Sequence, residues 1–242
     1  MTPQIVLHLG WEDNAWDISI RQLSYQLPTL FTSIPITWYA TRYKDLKSPL
    51  LVTFTFFLVV TILYACVKPS WDSAQIGFNV LSGIGQSGPL TLLVACVQFT
   101  APHAFLSTAT GLAFSARAIG GAFGSAVIAA IVNGRLNSHY AKDVSSAAVA
   151  AGLPSSSVPA LLAMLTEGAK EPIPGSTPEI MAKAVQASHW SYARAYRLGW
   201  ASAIPFVVLA IAAVAGLRGV KNLMTEKVEA TVEKVEEKEG TP

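Results

Sequence analysis

Long apolar stretches separated by shorter polar segments run through most of the chain. A membrane-spanning helix needs roughly 20 apolar residues, and five stretches come close to or exceed that length. The first is the weakest candidate, because polar residues and two prolines interrupt it. The pattern predicts an all-α, polytopic membrane protein with about five transmembrane helices. The five predicted spans are residues 18–40, 50–67, 74–99, 104–132 and 198–217.

The polar segments divide these spans into regions. Four spans lie together, and a polar insert rich in Ser, Ala and Pro separates them from the last one, which a charged segment follows. The predicted regions are an external N-terminal segment (1–17), four transmembrane helices (18–133), an external insert with an amphipathic helix (134–197), the last transmembrane helix (198–220) and a cytoplasmic charged tail (221–242).

Two short segments predict where helices begin and turn. In "STPEIMAKAVQASHW", Thr177 is a good N-cap, Pro178 suits the first helical turn, and Glu179 places negative charge at the positive end of a helix. This helix should continue into the last span. "TAPHA", at residues 100–104, is so short that the third and fourth spans should form a tight helical hairpin.

Composition and charge narrow the class of protein. Of the residues, 52% are hydrophobic and 13% are charged, about half the charge of an ordinary soluble domain. A net charge of +2 indicates no nucleic-acid partner. Basic residues near the predicted cytoplasmic ends fit an internal tail and an external insert, whereas Arg135, Arg194 and Arg197 in the insert count against that orientation.

Signatures of enzymes and metal sites are absent from the sequence. It has no phosphate-binding glycine loop with a lysine, and no Ser, His and acid set at one membrane depth. Its two cysteines, Cys66 and Cys96, fall in predicted spans without metal-ligand spacing. We predict no enzymatic activity, no catalytic residues, no metal and no cofactor.

Arg117 is the first candidate functional residue, because it lies inside the apolar stretch "FSARAIGGAFGSA". It is about 20 Å along a helix of about 42 Å, near the bilayer midplane. A charge at that depth costs at least about 2.5–3.5 kcal/mol. Every Asp and Glu lies outside the predicted spans. The expected partner is therefore backbone carbonyls, water, an anionic ligand or a carboxylate on helices outside this chain.

Three glycines follow Arg117 on the same predicted helix. Gly121 and Gly124 share its face by helical spacing, and Gly120 forms a small-xxx-small pair with Gly124. Such residues allow close helix packing. They also leave a hollow beside a charge, which would suit a translocation pathway. Both interpretations remain open at this point.

Polar residues on the other spans extend the candidate pathway. Asn79 and Gln86 share a face of the third span. Their side chains could face a ligand, or they could form interhelical hydrogen bonds. Gln22 and Gln26 share a face of the first span, which suits a water-filled cavity. Prolines in these spans leave backbone carbonyls unpaired and predict helix bending. These prolines are Pro28, Pro35 and Pro89.

The segment "TAPHAFLSTATGLAFSARAIGGAFG" resembles the late helices of major facilitator superfamily transporters, most closely the fungal drug, toxin and siderophore efflux group that includes trichothecene efflux pumps. The similarity extends more diffusely over residues 18–220. It implies a partial major facilitator fold and proton-coupled export of a small organic molecule, as in multidrug or siderophore efflux, across the plasma membrane.

The same resemblance implies that part of the transporter is missing, because the family has two pseudo-symmetric halves that bind substrate between them. Our first hypothesis is that this chain is the C-terminal part of an efflux transporter that works by alternating access. The alternative is a truncated, non-transporting membrane protein that pairs with a full transporter or regulates it. The expected partners are the lipid bilayer, a small-molecule substrate, protons, and a missing N-terminal half or a partner transporter.

Overall fold

The computed structural model describes residues 2–12, 14–167, 173–220 and 224, and the regular structure of these residues is helical throughout. Most of the predicted charged tail lies outside the described residues. Short 3-10 turns precede α5 and α6. The α-helices are α1 (Thr2–His8), α2 (Ala15–Tyr43), α3 (Lys47–Ala65), α4 (Asp72–Thr100), α5 (Leu106–Ala150), α6 (Val158–Glu167) and α7 (Pro178–Ala215).

Four of the described helices, α3, α4, α5 and α7, are long and apolar enough to cross a membrane. Helix α2 is also long, at 29 residues. It is less apolar, because its polar residues and its internal Pro28 and Pro35 interrupt the hydrophobic run, as expected for the weakest predicted span. The all-α, polytopic prediction is confirmed.

Helix α7 begins where the sequence predicts. The Thr177 side chain accepts a hydrogen bond from the Ile180 N–H at 3.3 Å, and Pro178 is the first helical residue. The helix then runs for 38 residues into the last apolar stretch, so that the insert helix and the last span are continuous. Residues 101–105 alone separate α4 from α5, which confirms the tight hairpin.

Helix α5 extends much further than the predicted fourth span. It continues through the polar insert to Ala150 and ends before Gly152, whose φ of +104° is a conformation that favours glycine. No proline interrupts the Ala-rich run between the span and this end. The change from apolar to polar residues therefore indicates where α5 leaves the predicted membrane span, and the helix itself continues past that point.

The helices form a bundle in which α4 packs between α2 and α3, α3 also packs on α7, and α7 packs on the second half of α5. Glycines allow the closest approaches. A Cβ added at Gly83 would lie 2.5 Å from the Tyr25 carbonyl oxygen, and one at Gly85 would lie 2.8 Å from the Phe57 nitrogen. These two residues set the spacing of α4 from its neighbours.

One end of the bundle, which we call the α1 end, carries additional packing. Ile5 and Leu9 are buried against Tyr64, Val132 and Tyr196 in one apolar cluster. A second cluster joins the end of α5, helix α6 and the start of α7. Its buried residues are Tyr140, Val144, Ala148, Leu153, Leu161, Ile173, Ile180 and Ala184.

Candidate functional site

A buried polar cluster ties α2, α3 and α4 together around Asn79, which is 2% exposed. Its Oδ1 accepts hydrogen bonds from the Tyr64 hydroxyl at 3.0 Å and from Gln75 Nε2 at 2.9 Å. Its Nδ2 donates to Ser24 Oγ at 2.9 Å and to the Arg21 carbonyl at 3.3 Å. The geometry corresponds to the interhelical alternative for Asn79, because the whole hydrogen-bonding capacity of the amide is used.

Arg21 extends this cluster to the surface at the α1 end. Its guanidinium lies 2.6 Å from a carboxylate oxygen of Glu12 and 2.6 Å from one of Asp72, and its side chain is 8% exposed. It also donates to Gln75 at 3.4 Å. The loop before α2, helix α2 and helix α4 are thus joined by one positive charge between two negative charges.

Tyr64, Gln75 and the ion pairs of Arg21 were not predicted from the sequence. A usable signal was that Glu12, Arg21 and Asp72 all lie near the ends of predicted spans on the side predicted to be external. Tyr64 had no such signal, because it lies in an apolar run of α3. Its polar role depends on the hydrogen bond from its hydroxyl to Asn79 on another helix.

Arg117 lies in very different surroundings. Its side chain is exposed, and it makes no ion pair with any carboxylate of the described residues. Its nearest recorded influence is electrostatic, on Tyr25 of α2. Only 6% of the most apolar window of α5 is buried, against 33% for α4, so the surroundings of Arg117 are mostly open.

The three glycines beside Arg117 share this openness. An added Cβ at Gly120, Gly121 or Gly124 would meet nothing within 4 Å. The described helices therefore do not use these glycines for close packing, which they achieve instead at Gly83, Gly85, Gly88 and Gly199. The packing role predicted for the three residues stays a prediction.

The other predicted residues are not brought together around Arg117 by any recorded contact. Gln22 and Gln86 are half-buried and Gln26 is exposed, and none of these side chains hydrogen-bonds to the part of the chain that the structure describes. Pro28 packs closely opposite Gly83, Pro89 is half-buried within α4, and Pro35 lies on the exposed side of α2.

A small polar cavity of about 170 Å³ opens between α1, α5 and α7, lined in part by Gln4, His8, Asn133 and Tyr196. His8 Nδ1 lies 2.6 Å from the Tyr196 hydroxyl, and the imidazole stacks on Tyr192 with 4.5 Å between ring centres. Burial lowers the pKa of His8 from its ordinary value of 6.5. The His8 side chain should therefore be neutral while α1 is docked at neutral pH.

The described residues contain no group of three His, Cys, Asp or Glu side chains that could hold a metal ion. Their polar groups instead connect helices at one end of the bundle and leave Arg117 open nearer the other. This arrangement offers a place for a polar or charged partner within an otherwise apolar surface.

Comparisons with known proteins place this geometry in context. The family model described as "Fungal trichothecene efflux pump (TRI12)" matches residues 40–239. The curated protein "MFS-type transporter prx5" from Penicillium rubens is 26% identical over 213 residues, which are 88% of this chain and 39% of that protein. The chain thus spans about two fifths of the length of that relative. No solved structure gives a significant match.

Proposed function

The chain belongs to the fungal trichothecene efflux pump (TRI12) family, and from this premise we propose that it forms the C-terminal part of an efflux transporter for a small organic molecule. The family and the apolar helices make it an integral membrane protein. Export would proceed by alternating access between this bundle and a second one. We place the transporter in the plasma membrane and propose protons as the coupling ion.

Arg117 is the observation that carries this proposal. A guanidinium near mid-membrane is stable only beside water, polar groups or an opposite charge. The bundle satisfies the amide of Asn79 and leaves Arg117 exposed with open space around it. A residue in that position suits the boundary between this bundle and a second one, beside a water-accessible pathway, better than it suits a lipid-facing surface.

The remaining predicted residues take supporting roles in this proposal. Gln22, Gln26 and Gln86 contribute uncommitted amide groups to the pathway wall, while Asn79 holds the wall together through its hydrogen bonds. The prolines bend α2 and α4, and the glycines keep α5 narrow. The proposed bending and packing residues are Pro28, Pro35, Pro89, Gly120, Gly121 and Gly124.

The substrate is proposed at the level of class. The family description names trichothecenes for the family as a whole. For this chain we propose a toxin, siderophore or drug-like organic molecule, because the pathway residues combine neutral amides with one positive charge. Such a set would hydrogen-bond hydroxyl and carbonyl oxygens and attract partial or full negative charge.

The test is export by cells that carry the complete transporter with Arg117→Ala. We expect export to fall by about tenfold or more, equivalent to about 1.4 kcal/mol of lost stabilisation. Surface abundance should be unchanged, because Arg117 is exposed in the described bundle. Arg42→Ala, an exposed arginine in the last turn of α2, is the matched control and should export normally. Normal export by the Arg117→Ala protein would remove the pathway role.

The second candidate is a non-transporting protein that pairs with a full transporter or regulates it. An antibody against residues 221–242 separates the two possibilities by the mass of the native protein. A species at least about twice the 25.7 kDa of this chain supports the transporter. A species near 25.7 kDa supports the pairing protein.

A further inference from the structure

The first half of α5 (106–125) has two unlike sides. Leu112, Ile119 and Phe123 lie on one side with 67–69% of their surface exposed, as suits contact with lipid. The opposite side carries the one charge of this segment and its small residues, and we call it the arginine–glycine face. The arginine–glycine face consists of Phe114, Arg117, Gly120, Gly121 and Gly124.

Lipid is a poor cover for the arginine–glycine face. Arg117 lies about 17 Å from the start of α5, at about 1.5 Å per residue, too far from either interface of a hydrocarbon core of about 30 Å for easy snorkelling. The glycines beside it leave a shallow groove along the helix, since nothing lies within 4 Å of an added Cβ. Small residues of this kind let a second helix backbone approach closely.

The chain's own helices do not cover this face either. Each described carboxylate lies outside the apolar core of the spans, and those of Glu12, Asp72 and Asp143 are already paired with arginines at the α1 end. Tyr25 is the described residue on which Arg117 acts electrostatically, and a phenol cannot neutralise a guanidinium at ordinary pH. The missing cover must therefore come from outside the described residues.

We propose that the arginine–glycine face is the docking site of a transmembrane helix that carries an Asp or Glu at the depth of Arg117 and small residues opposite the glycines. Charge complementarity selects the carboxylate, and the open groove selects the small residues. This proposal rests on the proposed function, in which a second bundle supplies the helix. The curated relative, of which this chain spans 39%, has chain enough for one.

The ion pair and the groove would act together. A carboxylate held against Arg117 in a low-dielectric setting gives orientation and partner choice, because a helix with a neutral residue there would leave the guanidinium unpaired. Close backbone approach at the glycines would exclude lipid from the pair. The two features therefore specify both the depth and the rotation of the docking helix.

The test is association in lipid vesicles between the full chain and a fluorescent Leu/Ala transmembrane peptide with one central Asp and Gly residues four positions to either side. Matched peptides carry Asn at the centre, or the same Asp moved two helical turns away. We expect the central-Asp peptide to bind about tenfold more tightly than either control, the ratio that one well-placed charge pair would give. Equal binding of all three peptides would overturn the proposal.

Two variants of the chain sharpen this test. Arg117→Gln should abolish the preference for Asp over Asn, and Gly121→Leu should weaken binding of both peptides while keeping Arg117. Both positions are exposed, so the fold should be retained, which helical content would verify. A preference that survives in Arg117→Gln would place the carboxylate contact elsewhere and contradict the proposal.

A free carboxylate is the competing occupant, and decanoate provides the probe for it. If decanoate displaces the central-Asp peptide only at concentrations that disrupt the vesicles, the helix is the preferred partner. If decanoate binds at Arg117 while the Asp and Asn peptides bind alike, the face is a ligand subsite and the docking proposal fails. Export assays give an independent result: failed export with intact docking would count against the proposed function alone.

Discussion

The α1 end of the bundle and the first half of α5 both place polar groups in apolar helices, with opposite outcomes. At the α1 end, Asn79 and Arg21 are nearly buried, the Asn79 amide is fully hydrogen-bonded, and the Arg21 guanidinium is paired with two carboxylates. In the first half of α5, Arg117 is exposed and has no carboxylate partner among the described residues. The polar groups of the α1 end hold helices together, whereas Arg117 remains available to bind a partner from outside the described bundle.

The glycines of the two regions show the same difference. Gly83 and Gly85 lie where another backbone already occupies the space beside them. Gly120 and Gly121 leave equivalent space empty. Glycines therefore lie in close helix–helix contacts in α4 but beside open space in α5. The presence or absence of a neighbouring helix accounts for this difference.

The largest expected effect comes from filling these spaces in the purified chain. Gly85→Leu should destabilise the bundle by about 3 kcal/mol, because its side chain must displace the Phe57 backbone. Gly120→Leu should change stability by less than about 1 kcal/mol, and in the favourable direction, because Leu is the better helix former. Thermal unfolding in detergent measures both. Similar losses at the two sites would mean that α5 is packed as tightly as α4.

A smaller effect is expected from the polar cluster. Asn79→Ala leaves the Tyr64 hydroxyl and the Gln75 amide without their shared acceptor, at a cost of about 1–3 kcal/mol. Gln86→Ala, about two turns further along the same face of α4, should cost no more than about 0.5 kcal/mol, because its side chain bonds to nothing in the described part of the chain. Denaturant titration of both variants in the same detergent gives the comparison. An equal loss of stability in both variants would contradict the view that Asn79 joins helices while Gln86 does not.

The smallest effect concerns how α1 closes the bundle at the α1 end. Burial lowers the pKa of His8, so the docking of α1 is fully stable above the ordinary His8 pKa of 6.5 and weakens as pH falls through the lowered value. Amide hydrogen exchange of residues 4–9 should be slow at pH 7.5 and, after correction for intrinsic rates, several-fold faster at pH 5. His8→Phe should keep the slow exchange at both values. The same acid response in His8→Phe would show that another group controls α1.

The helices were predictable because each needs only its own sequence. The apolar runs located the spans, and Thr177 with Pro178 located the start of α7. The continuation of α5 beyond the predicted fourth span was not predicted, since apolar length measures only the membrane-crossing part and Ala-rich polar sequence continues a helix equally well. The clusters built from α5, α6 and α7 outside the span were therefore not predicted either.

The candidate site was predictable only in part, because its chemistry depends on neighbours that are distant in sequence. An arginine inside an apolar helix is unusual, so the sequence alone identifies Arg117 as a candidate functional residue. Asn79 could face a ligand or a helix, and its hydrogen bonds to Tyr64 and Ser24 join residues that no local pattern connects. The close contacts of Gly83 and Gly85 likewise depend on interhelical distances that no local pattern records.

The most direct test of the contrast between the two regions asks what covers the arginine–glycine face in native membranes. The photoreactive residue benzoylphenylalanine replaces Phe114 on that face, which is 52% exposed, or Phe206 on α7, which is 67% exposed, as the matched control. We predict that position 114 crosslinks to a membrane helix bearing Asp or Glu, identified by mass spectrometry, while position 206 crosslinks to lipid. Lipid adducts alone at both positions would contradict the account.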